Sequence, residues 1–222
     1  MKLFKQILAL VLFGVAFGAG ASPAAPVAGT NYVVLPEPQA ADTGKKVEVI
    51  EFFAYYCPHC YALEPSLAAW VKKQGDNIVF KRVHVPRGPA VLPQQKLFFT
   101  LEALGLLDQH HHKVFDAMHV QHNSLRSDAA VMDWAGANGI DKAKFAETYN
   151  GFGVAAKLRR TDRMMGDYRV DYWPMLIVDG KYMTSPAEAS KGVSPAPNES
   201  QINANALTVL DFLVAKAKAE KK

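Results

Sequence analysis

From Val47 to Phe53 the chain reads VEVIEFF, with apolar side chains at Val47, Val49, Ile50, Phe52 and Phe53. Apolar residues on both faces of an extended run predict a central strand covered from two sides. Past it the period changes. Tyr61, Leu63, Leu67, Trp70 and Val71 recur at helical spacing, and Pro58 suits a first helical position, where an N–H would lack an intrahelical partner. A strand should therefore lead through Cys57 into a helix that Pro65 is expected to break or kink. Upstream, Tyr32 to Leu35 predicts a short edge strand within a Pro-, Ala- and Gly-rich tether, residues 22–44. Downstream, Gln74 to Asn77 marks a turn, and Ile78 to Val85, IVFKRVHV, predicts the next strand.

After the proline-rich stretch Pro86 to Pro93 the pattern is helical. Leu97, Phe98, Leu101 and Leu104 form one apolar face, and Val114, Phe115 and Met118 a second. Val131, Trp134 and Ala135 follow Ser127, and Phe145 and Tyr149 follow Asp141, both residues suited to N-caps. These segments predict a compact helical insertion with short connections. Phe152 to Tyr168 predicts a long returning helix whose Lys157, Arg159, Arg160 and Arg163 form a solvated face. Met175 to Val178 then predicts a strand, Asp179-Gly180 a hairpin turn to Tyr182, and Ile202, Ala206, Val209, Leu210 and Leu213 an amphipathic C-terminal helix covering one sheet face. The fold class is α/β with an inserted all-helical domain.

Charge and composition narrow the picture. Lys2 and Lys5 precede an apolar segment from Ile7 to Phe17, and Ala19-Gly20-Ala21 supplies small residues, which predicts a cleavable export signal over residues 1–21. The apolar run is shorter than the ~20 residues needed to span a bilayer. Losing the two leader lysines lowers the net charge from +4 to +2, a balance that does not indicate nucleic acid binding. The two cysteines, Cys57 and Cys60, form a single CxxC. A disulfide scaffold would show several spaced pairs, a four-cysteine zinc site would need a second pair, and c-type haem attachment would need histidine where Tyr61 stands. A structural disulfide and a metal-binding module using the CxxC stay open as alternatives. His110, His111 and His112 are consecutive helical positions that cannot converge on one ion; His119 and His122, at i and i+3, could share one, but no acidic residue completes a set, so all five are expected at the surface.

A cysteine at a helix N-terminus sits among unpaired N–H groups and the positive end of the helix dipole, so the Cys57 thiolate should be stabilised. Cys60, three residues on, should be less exposed; Cys57 attacks and Cys60 resolves. Pro58 and His59 lie between them, and a cationic His59 or a free backbone N–H would lower the Cys57 pKa further. A stabilised thiolate makes the disulfide easier to reduce and more oxidising toward a partner. Glu51 lies inside the apolar strand, and is either solvated at an edge or else paired, protonated or close to water. Lys81 and Arg82 of the following strand either approach it or face solvent.

The run Glu51-Phe52-Phe53-Ala54-Tyr55-Tyr56-Cys57-Pro58-His59-Cys60 resembles the active site of the thioredoxin superfamily, and CPHC in an exported chain of this length is similar to its DsbA family of periplasmic thiol:disulfide oxidoreductases. The likeness extends to Trp173-Pro174 before a late strand and to the Asp179-Gly180-Lys181-Tyr182 hairpin. It implies a thioredoxin fold in halves, residues 22–88 and 159–222, around a helical domain at 89–158. By resemblance, Glu51 would accept the proton of the resolving thiol. Pro174 would be cis and face the cysteines, with the backbone of Trp173 turned outward to pair with an extended substrate. Trp173 departs from the small or β-branched residue usual before this proline. The implied activity is oxidation of dithiols in reduced exported proteins, with reoxidation by a quinone-linked membrane protein of the DsbB type, no bound cofactor and a monomer by default. A disulfide isomerase or reductase on the same fold is the nearest alternative.

Overall fold

The computed structural model describes residues 22–221; the leader expected at residues 1–21 lies outside the described residues. Its centre is a five-stranded sheet in the order β1-β5-β4-β2-β3, formed by Val33–Val34 (β1), Val47–Phe53 (β2), Ile78–His84 (β3), Met175–Val178 (β4) and Tyr182–Thr184 (β5). Every residue of β2 is buried, as its two-faced apolar pattern requires. It runs parallel to β3 and antiparallel to β4, and this register sets Glu51 opposite Arg82 on one side and Leu176 on the other. At the β4–β5 turn Asp179 and Gly180 both adopt positive φ, 52° and 65°, and Lys181 N–H closes the turn on the Val178 carbonyl. A side chain on Gly180 would collide with the backbone of Gln39, so this position needs glycine for space as well as for conformation.

Two helical layers enclose the sheet. On one face lie α1, Pro58–Gln74, and α8, Glu199–Glu220. Val47, Val49, Leu176 and Val178 of the sheet pack there with Leu63, Leu67 and Trp70 of α1 and Val209, Leu210 and Leu213 of α8. Trp70 Nε1–H donates to Asp211 at 2.8 Å, locking the two helices together. On the other face Ile50 and Phe52 join a core shared with α2, Leu92–Ala103; α3, Leu107–His119; α4, Asp128–Ala137; α5, Lys142–Tyr149; and α6, Phe152–Asp167. Ser127 and Asp141 cap α4 and α5 through their side chains as anticipated. The fold is thus a thioredoxin-type sheet and helices with an inserted helical subdomain.

Several elements differ from the sequence reading. Helix α1 is not broken at Pro65: burial of Leu63, Glu64, Leu67 and Trp70 carries it through the one missing N–H. A short helix α7, Pro186–Ala189, capped by Ser185, stands between β5 and α8, where the sequence pattern predicts no element. His110 and His111 are buried rather than superficial, because α3 turns His111, Val114, Phe115 and Met118 toward the core at helical spacing. Of the two outcomes left open for Lys81 and Arg82, Arg82 approaches and bonds Glu51, whereas Lys81 stays exposed and bonds Glu48 instead.

The α1–α8 layer depends on close packing. Leu213→Ala is expected to lower unfolding free energy by about 2–5 kcal/mol in urea titrations. Val120→Ala, at a position 61% exposed, should stay within about 0.5 kcal/mol of the parent. Equal losses at the two positions would show that the α8 contacts do not carry this layer.

Candidate active site

Strand β2 ends beneath the first turn of α1, and the link between them, Ala54 to Tyr56, is fixed from below. The backbone N–H of Tyr55 donates to Nε2 of buried His84 at 3.0 Å, while His84 Nδ1 donates to the Val85 carbonyl at 3.0 Å. Burial pushes the His84 pKa down to about 3, so the ring stays neutral and keeps one acceptor nitrogen for Tyr55. The His119 ring, Nε2 to oxygen 2.7 Å, holds the Tyr55 carbonyl from α3. The chain therefore enters α1 with Cys57 at the N-cap and Pro58 at the first helical position.

The cysteine pair is strongly asymmetric. Cys57 is 6% exposed and Cys60 fully buried, and both are free thiols. Cys57 Sγ accepts from the Cys60 backbone N–H at 3.3 Å. A hydrogen bond from the Cys60 thiol, followed by the backbone N–H groups of Cys60 and His59 and the charge of His59, outweighs burial and brings the Cys57 pKa down to about 7. Burial, then donation of its own proton to Cys57, drives the Cys60 thiol well above its ordinary value. The same helix N-terminus thus favours one thiolate and disfavours the other.

Beneath Cys60 lies a buried charge network. Glu51, 1% exposed, receives Arg82 Nε at 3.0 Å, and Arg82 Nη2 reaches both oxygens of Glu64 at 2.9 Å. His111 brings Nε2 within 3.5 Å of Glu64 and shares its Nδ1 with the Tyr55 hydroxyl at 2.8 Å. One guanidinium lies between two carboxylates. Burial opposes charge on Glu64, but His111 and Arg82 overcome it and hold that carboxyl below the usual range. Burial dominates at Glu51 and raises its pKa to about 8, so near neutrality this carboxyl holds a proton below the dithiol.

Trp173-Pro174, 116 residues from Cys57 in sequence, meets the cysteine across the site. The peptide bond is cis, Pro174 is buried, and the Trp173 carbonyl accepts from the Cys57 thiol at 3.8 Å. That carbonyl is turned to the cysteine in the dithiol state rather than outward. The Trp173 ring stands edge-on to Tyr56, centroids 6.2 Å apart. Beside it runs a mainly apolar groove of about 340 Å³, whose walls include His59, Trp173, Pro174, Pro186 and Ile202. Cys57, Pro58, His59, Cys60, Glu51, Trp173 and Pro174 all fall in this one region. Sequence reading missed Glu64, His84 and His111. Glu64 was within reach of it, since it stands four residues after Cys60 and shares its helix face.

Titration should expose this asymmetry. In the reduced protein, alkylation by iodoacetamide is expected to fall on Cys57 and to accelerate through a midpoint near pH 7, with Cys60 unlabelled; labelling of Cys60 first would contradict the arrangement. For Glu51 the folded pKa lies above the ordinary 4.5, so its contribution to stability is present below that value and is lost as pH rises toward 8. Denaturant titrations of the reduced protein at pH 5 and pH 8 should show a larger loss in the parent than in Glu51→Gln. Parallel losses would place the proton elsewhere.

The family of the DSBA-like thioredoxin domain matches residues 48–194. The chain is 41% identical to the thiol:disulfide interchange protein DsbA of Burkholderia cepacia, over 98% of this chain and 99% of that protein. It is 35% identical to the protein of the same name from Bordetella parapertussis, over 89% and 90% of the two chains. The crystal structure of Pseudomonas aeruginosa DsbA superposes with a TM-score of 0.78 at 31% identity, covering 87% of this chain and 95% of that one. With a dithiol at the head of α1, a helical layer inserted in a thioredoxin-type fold and a family match across most of its length, the chain belongs to the DsbA family of thiol:disulfide oxidoreductases.

Proposed function

We propose that the chain is a periplasmic dithiol oxidase that introduces disulfide bonds into exported proteins. The observation that carries this reading is the opposite treatment of its two sulfurs: a Cys57 whose thiolate is favoured at a helix N-terminus, and a buried Cys60 whose thiolate is not. Stabilising the Cys57 thiolate stabilises the reduced pair, which makes the disulfide a strong acceptor of electrons. Residues 22–88 and 159–222 are the thioredoxin part carrying the chemistry, and 89–158 the helical part. The second boundary falls within the continuous helix α6.

The reaction begins with the Cys57–Cys60 disulfide. A substrate thiolate attacks Cys57 Sγ, the bond between the cysteines breaks, and Cys60 leaves as a thiolate that takes up a proton. Glu51, protonated near neutrality and buried below Cys60, is the group suited to supply that proton and to accept it on reoxidation. A second substrate thiolate attacks the substrate sulfur of the mixed disulfide. Cys57 departs as a thiolate; the substrate has lost two electrons and the protein has gained them. His59 and the N–H groups at the head of α1 stabilise this leaving group. Pro174 and Trp173 form the wall against which the substrate backbone lies, and the adjoining apolar groove takes its side chains. Reduced exported proteins are the electron donors, and a quinone-linked membrane protein of the DsbB type is the acceptor that restores the disulfide.

Equilibration with glutathione tests the reading. The pair should stay reduced until the buffer is strongly oxidising, and Cys57→Ser should abolish oxidation of a reduced peptide. A pair that stays oxidised in reducing glutathione would overturn the assignment.

A further inference from the structure

His59 projects from the first turn of α1, and its side chain is 73% exposed. An imidazole so placed has no packing to fix its orientation. Its Nδ1 nevertheless lies 2.7 Å from Glu199 Oε1, a residue 140 positions later in the chain. Glu199 is the first residue of α8, and that turn is held by a capping box. The Asn198 side chain accepts from the Gln201 N–H at 3.0 Å, and the Gln201 side chain accepts from the Asn198 N–H at 2.9 Å. The carboxylate is therefore presented from an ordered helix end, itself anchored to α1 by the Trp70–Asp211 bond.

The location gives the pair a consequence. His59 and Glu199 both line the apolar groove along with Trp173 and Pro174, so the contact lies where the groove meets the dithiol. A carboxylate accepting from Nδ1 fixes the ring, leaves Nε2 as the free nitrogen and favours the imidazolium. The titratable groups facing His59 are Glu199 from α8 and Cys57 from the cap of α1. Tyr172, also on the groove, turns its hydroxyl to Ser185 and Glu188.

We propose that Glu199 is a positioning residue of the dithiol site, holding a cationic His59 beside Cys57 and so making the first turn of α8 part of the machinery that sets the redox poise. The inference rests on the oxidase reading above. It fixes a sign. Glu199 carries negative charge, which acting directly on Cys57 would disfavour the thiolate; acting through His59, it favours the thiolate. The raised His59 pKa and lowered Cys57 pKa agree with the second route.

The test is Glu199→Gln, alone and combined with His59→Ala. In the reduced single variant, the His59 pKa followed by NMR should fall, and the Cys57 pKa followed by thiolate absorbance should rise. The glutathione equilibrium should move toward the disulfide by roughly two- to fivefold, the scale of a half-exposed ion pair. In the His59→Ala background the second substitution should no longer raise the Cys57 pKa or move the equilibrium toward the disulfide, because only the direct charge, of opposite sign, is left to act. An unchanged or lowered Cys57 pKa in Glu199→Gln, or an equal shift without His59, would overturn the proposal. The parent protein's own glutathione equilibrium tests the oxidase reading, and the difference between variant and parent tests Glu199.

Discussion

One arginine lies between two buried carboxylates, and much of the site follows from that imbalance. Arg82 is held by Glu51 and Glu64, and against the pull of burial they raise its own pKa, so its charge is secure. A single cation compensates a single buried anion. Glu64, with His111 as a further partner, keeps the negative charge, and Glu51 keeps a proton. That proton lies below Cys60, the sulfur that must gain or lose one in each cycle. Parallel pairing of β2 with β3 creates the arrangement, because the register places Glu51 directly opposite Arg82.

Above this network the two cysteines share one helical turn and differ in almost every physical respect. Cys57 receives backbone N–H groups and the end of the α1 dipole, whereas Cys60 is sealed beneath the turn. Its proton serves as a hydrogen-bond donor to Cys57, so each thiol accentuates the other's shift. A partner can reach only the sulfur that is chemically prepared to be attacked and to leave. Trp173 and Pro174, brought in at the start of β4, close the other side of that sulfur.

The helical subdomain is more than a cover. Through α3 it sends His111 down to Glu64 and Tyr55, and His119 to the Tyr55 carbonyl. Phe115 and Phe98 pack around Phe53 and Tyr55, so the end of β2 is held by aromatic contacts as well as by hydrogen bonds. The link before Cys57 is consequently fixed from the sheet by His84 and from the helical layer by α3. From the opposite side, α8 brings Glu199 to His59.

The sequence by itself determined what is local and periodic. The apolar residues on both faces of β2, Pro58 after Cys57, and the caps Ser127 and Asp141 specify a buried strand, a helix start at the cysteine and the helical layer, because each acts on neighbours within a turn or two. The asymmetry of Cys57 and Cys60 was legible for the same reason, since three residues on a helix separate an N-cap sulfur among free N–H groups from a sulfur turned into the first turn. Tertiary structure decided what depends on register and on long-range approach. Whether Glu51 met Arg82 or solvent turned on the β2–β3 pairing. Whether the histidine run lay at the surface turned on the rotation of α3, which buries His111 and leaves His112 exposed. The meeting of His59 with Glu199 required α8 to pack across α1. No periodicity encodes such contacts, because each joins segments whose separation along the chain carries no information about their distance in space.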